Sequence, residues 1–147
     1  MLEVDGLRER FGATVALDGV TLGIGPGEMF GFVGANGAGK TTTMRIIMGV
    51  LDADAGQVLW RGEPLGPHGR RRFGYMPEER GLYAKMRVGE QIEYFGRLGG
   101  LTGPMARKAA AGLMERLGIT QRAGDEVGAL SLGNQQRVQL AVALVHE

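Results

Sequence analysis

The stretch Gly34-Ala35-Asn36-Gly37-Ala38-Gly39-Lys40-Thr41 fits the spacing G-x-x-x-x-G-K-[ST]. Glycines let the main chain adopt positive φ and approach an anion closely. Successive N–H groups in such a loop form a concave anion site, and a following helix points its positive end at the same anion. Lys40 is placed to reach the β- and γ-phosphates of a nucleotide, and the Thr41 hydroxyl suits a Mg²⁺ ligand. The chemistry offered is phosphate binding; the competing reading is a glycine-rich turn that binds nothing.

The elements that must hold this loop are legible on both sides. Met29-Phe30-Gly31-Phe32-Val33 is a continuous apolar run, as expected of a strand buried on both faces. Met44, Ile47, Met48 and Leu51 follow at i, i+3, i+4 and i+7, a helical stripe. Strand, loop and helix in that order favour phosphate binding over the bare turn.

The chain has 147 residues, 44% apolar and 22% charged, which suits one globular domain. Its net charge of +1 gives no reason to expect nucleic acid. The short basic run Arg70-Arg71-Arg72 reads as a solvated loop. Cysteine is absent, which excludes disulfides, thiol nucleophiles and Cys-based metal sites. No apolar stretch approaches the ~20 residues that span a bilayer. Met1–Asp5 lacks the pattern of a signal peptide, so the expected location is the cytoplasm, with any membrane tether supplied by a partner. Glycine is abundant at 27 residues, and Gly96, Gly99 and Gly112 should weaken the helical patterns they interrupt or adjoin.

Taken in order, residues 2–8 read as an interrupted strand, Phe11-Gly12 as a turn, and Val15, Leu17, Val20, Leu22 and Ile24 as a second strand, clearest over residues 20–24. Gly25-Pro26-Gly27 signals a turn into the apolar run. Beyond the first helix, Asp52–Gly56 reads as a turn, Gln57–Trp60 as a strand, residues 64–72 as a loop, and Phe73–Met76 as a strand stopped by Pro77. Val88, Ile92, Phe95 and Leu98 make one helical stripe; Ala110, Leu113, Met114 and Leu117 make another, with a start near Thr102 and Pro104. Val138, Ala141, Val142 and Val145 make a third, on a helix beginning near Asn134 and running to the end of the chain. A helix with no stop signal suggests a fragment. The expected architecture is an α/β core carrying a mainly helical insertion.

A second motif narrows the class. Leu130-Ser131-Leu132-Gly133-Asn134-Gln135-Gln136-Arg137, opening a helix, resembles the signature sequence L-S-G-G-Q of ATP-binding cassette (ABC) ATPases. With the phosphate loop and the intervening helical block, the resemblance covers essentially the whole chain. Tyr75–Tyr83 is similar to the branch that energises ABC-2-type exporters. The implied fold is a P-loop NTPase core of ABC type over residues 1–77, a helical subdomain over 78–130, and the signature with its helix over 131–147. The implied function is the ATP-binding subunit of an exporter, working at the inner face of the membrane through separate permease subunits. A soluble ABC protein and a non-catalytic nucleotide-binding fragment are the alternatives.

The resemblance also implies roles. Phe11 stands where an aromatic stacks on adenine; a core or turn aromatic is its other reading. Gly34, Asn36, Gly37, Ala38, Gly39, Lys40, Thr41 and Thr42 would hold ATP, and Thr41 and Glu78 would hold Mg²⁺. Lys40, Glu78, Ser131 and Gly133 would form the catalytic set, with Ser131 and Gly133 facing the γ-phosphate bound by a second copy packed head to tail. Ser131 can equally cap its helix.

This sequence departs from the family pattern in three places. Leu132 replaces the first signature Gly, Asn134 replaces the Gln, and Glu78 replaces a Gln that touches Mg²⁺ and the attacking water. The family's Walker B carboxylates and switch histidine do not occur in residues 1–147. His146 reads as an exposed helix-end residue and His68 as a loop residue. The expectation for the 147-residue chain alone is weak ATP binding, negligible hydrolysis and a bare apolar sheet edge.

Overall fold

The computed structural model describes residues 1–77 and 81–146 and divides the chain into two compact units, Met1–Phe73 and Gly74–Glu147.

In the N-terminal unit, β1 (Leu2–Phe11) and β2 (Thr14–Ile24) form a long antiparallel hairpin. β3 (Ala55–Trp60) pairs with the other edge of β1, and the two-residue β4 (Glu63–Pro64) pairs with β3, giving the order β2-β1-β3-β4. β1 runs three residues beyond the expected 2–8, while β2 covers the alternation from Val15 to Ile24. The interruption at Gly6 is an irregularity in register at a left-handed glycine, whose N–H donates to Thr21 Oγ1. Phe11 is the last residue of β1 and not part of the turn, and Ala55 and Gly56 belong to β3. Val4, Leu7 and Val58 from the sheet bury against Ile46 and Ile47 of helix α1 (Lys40–Met48).

Several expectations need correction. Residues 29–33 carry no strand; Met29 is 99% and Val33 89% exposed. A strand requires a hydrogen-bonded neighbour as well as an apolar run, and none of β1–β4 pairs with this segment. The same reason leaves Phe73–Met76 without strand structure. The buried face of α1 is Thr43, Ile46 and Ile47, whereas Met44 is exposed, so the stripe lies one residue earlier than its apolar pattern implies. Residues 64–72 include a short helix, α2 (Pro67–Arg70), rather than loop alone.

The C-terminal unit packs α3 (Val88–Leu98), α4 (Gly103–Arg116) and α5 (Leu132–Leu144) around Ile92, Ala110, Leu113, Val138 and Ala141. The three apolar stripes fall inward as their spacing requires, except Leu98, which is exposed at the end of α3. Gly96 does not simply weaken α3. A Cβ there would come within 3.2 Å of both Ala106 and Val145, so the missing side chain is what lets the helices approach. α5 ends at Leu144 instead of running on, and His146 is half-buried against Gly99.

Candidate functional site

The phosphate loop is shaped by its glycines. Gly37 (φ +83°) and Gly39 (φ +81°) are left-handed, and the Ala38 N–H donates to Ala35 O at 3.2 Å to close the turn. Gly39 is constrained twice, because a Cβ would overlap Leu17 Cδ2 and stand 2.5 Å from Ala16 O. The loop is thus seated on β2. Gly39 caps α1 without any side-chain bond, so the first-turn N–H groups of Lys40, Thr41 and Thr42 have no helical carbonyl ahead of them. Thr43 turns inward and returns its N–H and its Oγ1 to Gly39 O at 2.8 and 3.0 Å.

Lys40 lies across this concavity. Its ammonium donates to Gly34 O at 2.6 Å and Ala35 O at 2.8 Å, two carbonyls at the loop's own entrance. The residues from Gly34 to Ala38 and Thr41 are exposed, and Thr42 is half-buried. A cation, free N–H groups and the positive end of a helix converge on open space. That donor set fits a polyphosphate, and no residue from Gly34 to Thr43 carries a carboxylate to repel one.

The far end of α1, by contrast, is closed. Gly49 (φ +70°) donates its N–H to Ile46 O at 3.0 Å, and Arg70 Nε donates to Ile47 O at 3.0 Å. Arg70 was expected in a solvated loop, but it is half-buried and lies over Gly49, where a Cβ would be 2.8 Å from its side chain. A cation there complements the negative end of the helix. Only a long-range contact reveals this role.

Phe11 sits at the tip of the β1–β2 hairpin and is 53% exposed, so it is not a core aromatic. Leu17, which backs Gly39, is three residues from the hairpin turn, about 10 Å along β2. One hairpin therefore carries both residues.

The second motif is in the C-terminal unit. Ser131 stands at the N-cap of α5 but its side chain makes no capping bond, so its exposed hydroxyl is not used by the helix. Among the described residues, a Cβ on Gly133 would meet nothing within 4 Å, and its φ is not in the left-handed range. Neither packing among the described residues nor backbone geometry calls for glycine there. Leu132 is 57% exposed beside it. Glu78 lies outside the described residues.

Three buried glutamines were not singled out by sequence reasoning. Gln135 Nε2 donates to Val127 O and Leu130 O, Gln139 Nε2 donates to Pro77 O, and Gln91 Oε1 accepts from the Tyr83 N–H. The available signal was polar side chains on helix faces otherwise filled by apolar ones.

Residues 17–147 match the family described as ABC transporter. Over 147 residues the chain is 44% identical to the ABC transporter ATP-binding protein YhaQ of Bacillus subtilis, covering 100% of this chain and 49% of that protein. It is 37% identical to the Nod factor export ATP-binding protein I of Ralstonia nicotianae, covering 100% of this chain and 47% of that one. A solved ATP-binding subunit of an ABC transporter superposes with a TM-score of 0.84 at 30% identity, over 99% of this chain and 62% of that one. The chain thus spans about half the length of the curated relatives it matches.

Proposed function

The chain belongs to the ABC transporter family, and from that membership we propose that it forms the ATP-binding part of a subunit that couples ATP binding and hydrolysis to export through separate membrane subunits. The observation that carries the ATP half of this reading is the cradle of Gly37, Gly39 and Lys40 at the open N-terminus of α1. Export is supported by the named role of a relative matched along the whole chain.

In this reading Phe11 stacks on the adenine, while Gly34, Asn36, Gly37, Ala38, Gly39 and Thr42 line the triphosphate. Lys40 brings the cation, and Thr41 and Glu78 hold Mg²⁺. When bound, the metal would supply positive charge to offset the negative charge of the phosphates. Gly39 and Thr43 fix the loop so that its N–H groups are aimed before nucleotide arrives, which avoids reorganisation.

Ser131 and Gly133 serve a nucleotide held by a second copy, in a head-to-tail pair. The unused Ser131 hydroxyl and the open space over Gly133 support this, because glycine in the first turn of a helix costs stability and brings no internal benefit here. The division at residues 77 and 130 follows the same reading. ABC-2-type permease subunits are the proposed partners. No helix among the described residues is long and apolar enough to cross a membrane.

The test is turnover of Mg-ATP by the complete gene product, with and without co-expressed membrane subunits. Hydrolysis that rises in the complex and disappears with Lys40→Met supports the proposal. Hydrolysis indifferent to both would sink it.

A further inference from the structure

We propose that Gln135 is a positioning residue for the Ser131–Gly133 motif, holding the peptide just before Ser131 so that the hydroxyl and the N–H groups of this helix start are presented in one direction. The inference rests on the reading that this motif faces a phosphate of a second copy.

Gln135 lies one turn into α5 and is 8% exposed. Its Nε2 sits 3.1 Å from Val127 O and 3.1 Å from Leu130 O, while its own N–H continues the helix to Ser131 O at 2.9 Å. An amide NH₂ carries two hydrogens, so each carbonyl receives one. The acceptors also decide which end of the amide faces them, since an oxygen there would be repelled by both carbonyls. The Oε1 atom is buried with no partner among the described residues. A buried acceptor left unpaired is costly. What the side chain contributes is therefore the pair of donors.

These donors act where the Ser131 side chain does not. The Ser131 side chain does not cap α5, so it does not fix the entry of the chain into the helix. Gln135 does this from below by gripping Leu130, the residue before Ser131, and the short 3-10 turn at Val127–Ala129. That turn is itself braced, with Val127 N–H donating to Met86 O at 3.0 Å and Gly128 N–H to Ala84 O at 2.7 Å. Gln135 thus ties an exposed motif to a fixed support.

The test uses the complete gene product with Gln135→Met, Gln135→Glu and, as a reference, Ser131→Ala. Losing both donors should lower turnover about tenfold, while the affinity of the phosphate loop for a fluorescent ATP analogue changes less than about twofold, because that loop is built by the other unit. Gln135→Glu adds a signature that a merely structural role would not produce. A protonated carboxyl has one O–H to donate and a carboxylate has none, and burial raises the carboxyl pKa. Its turnover relative to the parent should therefore recover as pH falls, whereas the ratio for Gln135→Met stays flat. If Ser131→Ala slows turnover but Gln135→Met does not, or if the Gln135→Glu ratio is also flat with pH, the proposal is overturned and the motif's role stands. If Ser131→Ala itself turns over normally, the underlying reading fails and takes this proposal with it.

Discussion

The Nε2 of Gln139 donates to the carbonyl oxygen of Pro77 at 2.7 Å, so α5 grips the residue directly before Glu78. Gly74 lies against the same helix farther along, where an added Cβ would overlap the Ala143 carbonyl. The segment from Gly74 to Pro77 is therefore held at both ends by α5 instead of by a sheet. Gln139→Leu removes the donor and leaves the Pro77 carbonyl without it. A loss of about 1–2 kcal/mol in unfolding free energy is expected, read by denaturant titration. An unchanged midpoint would show that the bond is replaced at no cost.

Gly39→Ala brings together two penalties, a left-handed residue acquiring a Cβ and an overlap with Leu17 and Ala16 O. The expected loss is about 2–4 kcal/mol, with nucleotide affinity falling alongside because the loop must shift. Thermal unfolding monitored together with ATP titration checks both.

Arg70→Met retains the apolar stem over Gly49 but removes the donor to Ile47 O and the cation at the end of α1. A destabilisation of about 1–2 kcal/mol is expected. Added salt should narrow the difference only slightly, because the contact is half-buried. Calorimetric melting at two ionic strengths measures this.

Gly133→Ala separates folding from function. The helix should be unchanged or more stable, by up to about 0.5–1 kcal/mol, because the new Cβ meets nothing among the described residues. Turnover should nevertheless fall about a hundredfold if a partner's phosphate must approach there. Melting and hydrolysis measured on the same preparation decide the matter.

The helical unit was legible because its stripes are local. Val88 and Ile92, Ala110 and Leu113, and Val138 and Ala141 each repeat within one element and bury as that spacing requires. The phosphate loop was legible because its glycines encode backbone conformation directly, as the left-handed Gly37 and Gly39 show. The apolar run at 29–33 misled because its periodicity reports hydrophobicity, whereas a strand is made by its neighbours. On α1, Thr43 spends its hydroxyl on Gly39 O and can therefore be buried, which moves the inward face by one residue. For Arg70, Gln135 and Gln139 the sequence can mark at most a polar residue on an apolar face; their partners are carbonyl oxygens, which no side-chain pattern names.

The most direct measurement is equilibrium titration of Mg-ATP into the complete gene product and its Lys40→Met variant. Lys40 now spends its ammonium on Gly34 O and Ala35 O at the mouth of an otherwise open cradle. Losing a charge-assisted donor to the phosphates should weaken binding about tenfold to a hundredfold, with the melting temperature of the unliganded protein little changed. Equal affinity for ATP in the two proteins would contradict the account.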